Sequence, residues 1–210
     1  MLKIIIAGTG PDVGKTVVSA ILTTLLNGSY WKPIQCGRKE ESDTATMHDL
    51  IDSYKHKIYP PKYSLDAPLS PHHAARLEGI SIDASSIVPP ETTSPLIVEG
   101  VGGIFVPLTT KILTIDLFSS WKDCLWILVS NHYIGSINHT LLTVEALKRR
   151  QVSIAGLIFN GKPNPDSEEA ILDMTQLPLL ERLLPEKYIA LKTIKRYANQ
   201  WQHIRSRLAL

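Results

Sequence analysis

Short, almost wholly apolar runs recur along this chain and alternate with longer segments of mixed polarity. Ile4–Ala7, Pro95–Gly100, Cys124–Ser130 and Ser153–Asn160 each read as a strand buried on both faces. The segments between them carry helical spacing. Val17–Leu26 reads as a helix ended by Asn27-Gly28-Ser29. Ser136–Arg150 reads as an amphipathic helix with Ile137, Leu141, Leu142, Val144 and Leu147 on one face. Asp166–Thr175 and Glu186–Leu208 carry further helical patterns. Shorter helices are expected from Thr44 to Lys55 behind a Ser42-Asp43 cap, at His72–Gly79 behind Ser70-Pro71, and at Thr114–Trp121.

Tyr30–Cys36 is expected as a second strand, although Pro33 inside it has no N–H to donate. Leu177–Leu184 reads as a last strand broken by Pro178. Residues 56–71, with Pro60, Pro61, Pro68 and Pro71, read as an irregular connection, and residues 80–94 as another connection with room for one helical turn. Apolar strands alternating with amphipathic helices predict an α/β fold. The expected architecture is a doubly wound, mostly parallel sheet in one domain over residues 1–210.

The first strand leads into Gly8-Thr9-Gly10-Pro11-Asp12-Val13-Gly14-Lys15-Thr16 and then a helix. That order is the context of a phosphate-binding P-loop, and with it the sheet is expected to be of the P-loop NTPase type. Unpaired N–H groups at the helix start and the helix dipole favour an anion there. Lys15 supplies positive charge to the β- and γ-phosphates, and the Thr16 hydroxyl suits Mg²⁺. Five residues separate Gly8 from Gly14, one more than the usual pattern.

Composition narrows the picture little. Charged residues make up 20% of the chain, and the net charge of +2 gives no reason to expect nucleic acid or a membrane as partner. Cys36 and Cys124 make no disulfide framework, so a cytoplasmic protein is expected. The apolar run after Lys3 is too short for a signal peptide. No stretch reaches the ~20 apolar residues of a membrane-spanning helix.

Ligands of such sheets sit beyond the carboxyl ends of the strands. Glu99 follows Leu96-Ile97-Val98; it is either a Mg²⁺ ligand or an ordinary acid at a loop. Gly100, Gly102 and Gly103, with Val101 among them, allow backbone N–H groups to approach an anion. Lys32 either snorkels to the surface or is held for an anion. Asp43 taken alone reads as a helix cap. Asn160 is either a reader of a nucleobase edge or a turn residue before Gly161. Cys36 has no base beside it in sequence and reads as a packing or substrate-facing residue rather than a nucleophile.

Six ordered motifs together resemble the dethiobiotin synthetase family over most of residues 1–160. The family's G-T-D-T-x-V-G-K-T matches residues 8–16, with the same five-residue spacing. Its K-P-V-Q-T-G is similar to Lys32-Pro33-Ile34-Gln35-Cys36-Gly37, and its following acid to Asp43. Its S-P-H appears as Ser70-Pro71-His72, and its V-E-G-A-G-G as Val98-Glu99-Gly100-Val101-Gly102-Gly103. Its G-x-I-N-H-x-L-L-T appears at Gly135–Thr143.

The resemblance implies an ATP- and Mg²⁺-dependent homodimer that carboxylates 7,8-diaminononanoate with CO₂ and closes a cyclic urea, a step of biotin synthesis. It assigns phosphate and carbamate charge to Lys15 and Lys32, and Mg²⁺ to Thr16, Asp43 and Glu99. It assigns nucleotide binding to Gly10, Pro11, Asp12, Val13, Gly14, Lys15, Thr16, Val17 and Asn160. It assigns substrate binding to Cys36, Ser70, Pro71, Gly100, Val101, Gly102 and Gly103, with Asn138 contributed by the partner subunit. The chain departs from the family at Gly10 and Pro11, which replace an Asp and a Thr, and at Cys36, which replaces a Ser or Thr. The family's later Gly-x-Ile-Pro strand is not evident in residues 178–185.

Other readings of a P-loop scaffold are an amidoligase, a ParA/MinD-like nucleotide switch, and a weakly active relative. The first is disfavoured because no glutaminase segment is present. The second is disfavoured because no second Lys lies between Gly8 and Gly14. Pro11 and Cys36 are the residues that would favour the third.

Overall fold

The computed structural model describes residues 2–208; Met1, Ala209 and Leu210, at the ends of the expected 1–210 domain, lie outside the described residues. Seven strands form one sheet. In chain order they are β1 (Lys3–Gly8), β2 (Ser29–Trp31), β4 (Ile58–Tyr59), β6 (Leu96–Glu99), β7 (Cys124–Asn131), β8 (Ser153–Asn160) and β9 (Leu179–Leu183). Their spatial order is β4-β2-β6-β1-β7-β8-β9, and every pair is parallel. The helices are α1 (Lys15–Leu26), α2 (Asp43–Leu50), α3 (Pro71–Leu77), α4 (Thr114–Ser119), α5 (Ser136–Arg149), α6 (Pro165–Thr175), α7 (Leu191–Gln200) and α8 (Ile204–Arg207).

Successive side chains of a strand point to opposite faces, and both faces of this sheet are covered. Ile4 and Ile6 join Val18, Ile21, Leu22, Tyr30, Met47, Ile194 and Trp201 in one core layer. Ile5 and Ala7 join Trp31, Phe118, Trp126, Leu147 and Ile171 in the other. Double coverage is why the strands appear in sequence as unbroken apolar runs rather than as alternation.

Several expectations are corrected. Tyr30–Cys36 is not one strand: Pro33 divides it into β2 and β3 (Ile34–Cys36). The Pro33 carbonyl accepts from the N–H groups of Lys62 and Tyr63 at 2.8 and 3.1 Å. This hands the chain to a separate parallel ribbon of β3 with β5 (Tyr63–Leu65). The segment 56–71 therefore holds two short strands, β4 and β5, rather than being irregular throughout. Helix α2 stops at Leu50 instead of Lys55, because the following polar residues close their own turn, with the N–H groups of Lys55 and His56 donating to Asp52 O. Helix α3 begins at Pro71 and ends at Leu77, two residues before Gly79.

The long C-terminal helical pattern divides into α7 and α8, with Trp201 buried at the bend. Strand β9 begins after Pro178 instead of being broken by it.

The buried face of α5 also differs from the expected one. Ser136, Thr140, Thr143, Val144, Ala146 and Leu147 are buried, and Leu142 is exposed. Thr140 and Thr143 donate back to the carbonyls of Ser136 and His139, each at 2.7 Å. A threonine satisfied in this way packs as a small β-branched residue.

Candidate active site

The loop after β1 closes over the start of α1. Gly14, which caps that helix, has φ of 97°, a left-handed conformation that glycine adopts without a Cβ penalty. A Cβ on Gly14 would also stand 2.5 Å from Asn160 Nδ2. The Asn160 side chain, at the end of β8, donates from Nδ2 to Val13 O at 3.0 Å. It thereby ties the P-loop to the sheet edge and keeps one N–H and its carbonyl oxygen for other partners. Lys15 folds back and donates to Gly10 O at 2.8 Å. Burial depresses its ammonium to a pKa of about 8, although Glu99 opposes the shift.

Four polar side chains from distant parts of the sequence converge beside Lys15. Thr16 Oγ1 lies 2.6 Å from Asp43 Oδ1 and 2.9 Å from Glu99 Oε1. Lys32 Nζ is paired with Asp43 Oδ2 and lies 3.3 Å from Glu99 Oε1. The parallel register explains the meeting. Trp31 is opposite Val98, so Lys32 and Glu99 both leave the sheet at its carboxyl edge, and β1, which feeds the P-loop, is the other neighbour of β6.

Burial alone would lower the Lys32 pKa, but the Glu99 and Asp43 carboxylates outweigh it and hold the ammonium above its ordinary value. Burial likewise pushes the Asp43 carboxyl up, and Lys32, with the Thr16 hydroxyl, brings it below the usual carboxylate range. The open choice for Lys32 is thus decided: it does not snorkel. Asp43 begins α2, but Ser42 is the cap, its hydroxyl accepting from Ala45 N.

These groups line a cleft of about 880 Å³ together with Pro11, Asp12, Gly14, Val17, Cys36, Ser70, Pro71, Val101 and Gly102. The sequence-based set is not all in it. Gly100 backs a small cavity behind the cleft. Gly10 and Gly103 line an adjoining apolar groove of about 610 Å³ against α5, with Phe105, His139 and Leu142. Val13 is buried beneath the loop. Asn138 is exposed on α5, outside the cleft. Cys36 faces the cleft with its thiol pushed up to about 11 by burial, so it is protonated and not a nucleophile at neutral pH.

Sequence reasoning missed two contributors. Tyr30 donates its hydroxyl to Glu99 Oε2 at 2.8 Å. Gln35 Oε1 accepts from Asp43 N at 3.2 Å. The signal for Tyr30 was its position two residues before Lys32, which in an extended segment gives both the same face.

The three oxygen groups, one hydroxyl and two carboxylates, fit a hard cation such as Mg²⁺, which takes oxygen ligands. Thr16 has one proton to give and two carboxylate oxygens within 2.9 Å, so only one of the two contacts is a hydrogen bond. An ion among these oxygens accommodates both.

Strand, Gly loop, buried Lys and Thr at a helix start, one acid at the end of β6 and a second at the start of α2 define a P-loop nucleotide-dependent protein. The family described as "AAA domain" matches residues 3–190. The chain is 48% identical to the ATP-dependent dethiobiotin synthetase BioD of Chlamydia pneumoniae over 97% of its own length and 91% of that protein. It is 45% identical to that of Chlamydia felis, over 96% and 94%, and 43% to that of Christiangramia forsetii, over 94% of each. It therefore belongs to the dethiobiotin synthetase family of ATP-dependent enzymes. Among solved structures, the septum site-determining protein MinD of Pyrococcus horikoshii shares the fold with a TM-score of 0.60 at 15% identity, over 97% of each chain. A ParA family ATPase of Chlorobium tepidum does so at 0.54 and 11%, over 94% and 97%.

Proposed function

We propose that this chain catalyses the ATP-dependent conversion of 7,8-diaminononanoate and CO₂ to dethiobiotin, with ADP and phosphate as co-products. One amine adds to CO₂ and loses a proton, giving a carbamate. A carbamate oxygen displaces ADP from the γ-phosphorus, giving a carbamic–phosphoric anhydride. The second amine attacks the carbonyl carbon, phosphate leaves, and the cyclic urea closes. Each step develops or moves negative charge, and the protein's task is positioning and charge stabilisation.

The observation that carries this reading is the convergence of Lys15, Lys32, Thr16, Asp43 and Glu99 on one cleft. Lys15 and the N–H groups around Gly14 hold the β- and γ-phosphates. Lys32 lines the same cleft, where it neutralises the carbamate and the γ-phosphate oxygens. Thr16, Asp43 and Glu99 hold Mg²⁺, which supplies neutralisation of the phosphate charge. Pro11 carries no N–H, and so contributes shape rather than a donor to the loop. Val17, next to Thr16, lines the same cleft and packs under the nucleotide. Asn160 uses its free N–H and carbonyl oxygen on the base. Cys36, Ser70, Pro71 and the Val101–Gly103 loop border the substrate.

The working form is a homodimer. The apolar groove along α5 opens among the exposed side chains of Phe105 and Leu142. It is extended by exposed Tyr133, whose hydroxyl bonds His139 at 2.7 Å, and by Ile134. Contiguous exposed apolar surface of this kind marks an interface, and Asn138 on the same helix is placed to reach a partner's substrate. Among the described residues, no helix is long and apolar enough to cross a membrane, and a cytoplasmic setting follows from the soluble substrates. We treat residues 1–210 as one working domain.

The test is direct. Purified protein receives ATP, Mg²⁺, bicarbonate and diaminononanoate, and the product is followed by mass. Cyclic urea is the expected result; folded protein that makes none overturns the reading.

A further inference from the structure

Tyr30 lies on β2 opposite Ile97 of β6, with its side chain fully buried in the core layer beneath α1. Its ring fills that layer, and its hydroxyl reaches Glu99 Oε2 at 2.8 Å. Glu99 is itself only 1% exposed. Its other oxygen, Oε1, faces the cleft groups, 2.9 Å from Thr16 Oγ1 and 3.3 Å from Lys32 Nζ. A buried phenol and a buried carboxylate oxygen each need a partner, and here each satisfies the other. A phenol keeps its proton at neutral pH, so it is the donor of this bond.

The consequence concerns the number of oxygens Glu99 offers. With Oε2 held by Tyr30, the carboxylate presents one oxygen to the cleft. Mg²⁺ takes carboxylates in strict octahedral geometry and through single oxygens. Ca²⁺ is larger, tolerates irregular geometry and accepts both oxygens of one carboxylate. We propose that Tyr30 is a positioning residue that fixes Glu99 in one-oxygen presentation and so sets the preference of the site for Mg²⁺ over larger cations. The inference rests on the reading of Glu99 as an ion ligand.

The experiment separates the two. Mn²⁺ is titrated into the enzyme with ADP, binding is read by electron paramagnetic resonance, and Mg²⁺ and Ca²⁺ are then used as competitors. Tyr30→Phe keeps the ring and removes only the hydroxyl. It is expected to weaken Mn²⁺ by about tenfold and to improve Ca²⁺ relative to Mg²⁺ as a competitor. In a Glu99→Gln background, Tyr30→Phe is expected to add no further loss.

Unchanged Mn²⁺ affinity and unchanged Mg²⁺/Ca²⁺ ratio in folded Tyr30→Phe overturn the proposal, even if its melting temperature falls, since that is the mark of packing alone. If Glu99→Gln weakens Mn²⁺ while Tyr30→Phe does not, only the role of Tyr30 falls. If neither changes it, the ion-site reading falls as well. A loss additive with Glu99→Gln also overturns the proposal.

Discussion

Lys32 Nζ stands 3.3 Å from Glu99 Oε1 in a setting where both side chains are almost closed to water, and the same ammonium pairs with Asp43. Two carboxylates around one buried cation make that cation indispensable before any ligand arrives. Lys32→Met is expected to leave two acids unpaired and to destabilise the protein by about 3 kcal/mol. Urea unfolding without nucleotide or divalent ion measures this. Turnover is expected to vanish in the same variant.

The acid limb of stability follows from the same cluster. Asp43 is held below its unfolded value of 3.8. Its contribution is therefore fully present above about pH 4 and is lost as pH falls through the folded pKa. Urea midpoints measured from about pH 6 down to about pH 2 are expected to fall in that window. The fall is expected to be shallower in Asp43→Asn.

Lys15 also makes stability rise with pH, but as a cost that is relieved rather than a gain that is lost. Its folded pKa of about 8 lies below the ordinary 10.5. Burial of its charge opposes folding below pH 8, and this cost is relieved as pH rises from 8 towards 10.5. Phosphate placed at Lys15 restores the charge, so nucleotide binding near pH 8 is expected to take up protons. Calorimetry in two buffers of different ionisation heat reads the uptake, and Lys15→Ala is expected to remove it. The same variant is expected to keep its fold and to lose turnover by about a hundredfold or more.

Gly14→Ala combines a positive φ with a Cβ only 2.5 Å from the Asn160 amide. A cost of about 1–3 kcal/mol is expected. Thermal unfolding is expected to show a loss of roughly 2–4 °C for each kcal/mol. Nucleotide affinity is expected to fall with it, because Asn160 and the loop are displaced together.

Leu142 sits on the outer face of α5 at the apolar groove. If the proposed homodimer forms through this face, Leu142→Glu is expected to leave a monomer in light scattering, with the far-ultraviolet spectrum unchanged.

Much of this was legible in the sequence, for physical reasons. Ile4–Ala7 and Leu96–Val98 stand out because a sheet covered on both faces needs unbroken apolar runs. Lys15 and Thr16 stood out because a P-loop motif is local, whereas Lys32, Asp43 and Glu99 stayed open until the family resemblance singled them out; all five line one cleft.

What escaped is non-local or depends on backbone detail. The Tyr30–Glu99 bond requires β2 to neighbour β6, and no short-range pattern fixes strand order. The buried face of α5 was misjudged because Thr140 and Thr143 hide their hydroxyls in back-bonds, so polar letters occupy core positions. Pro33 signalled a break, but not that its carbonyl would start a second ribbon with β5.

The central claim is that carbamate oxygen attacks the γ-phosphate in the cleft between Lys15 and Lys32. Isotope transfer tests it most directly. With ¹⁸O-labelled bicarbonate, ATP, Mg²⁺ and diaminononanoate, the released phosphate is expected to carry one ¹⁸O for each cyclic urea formed. Cyclic urea accompanied by unlabelled phosphate would contradict the account.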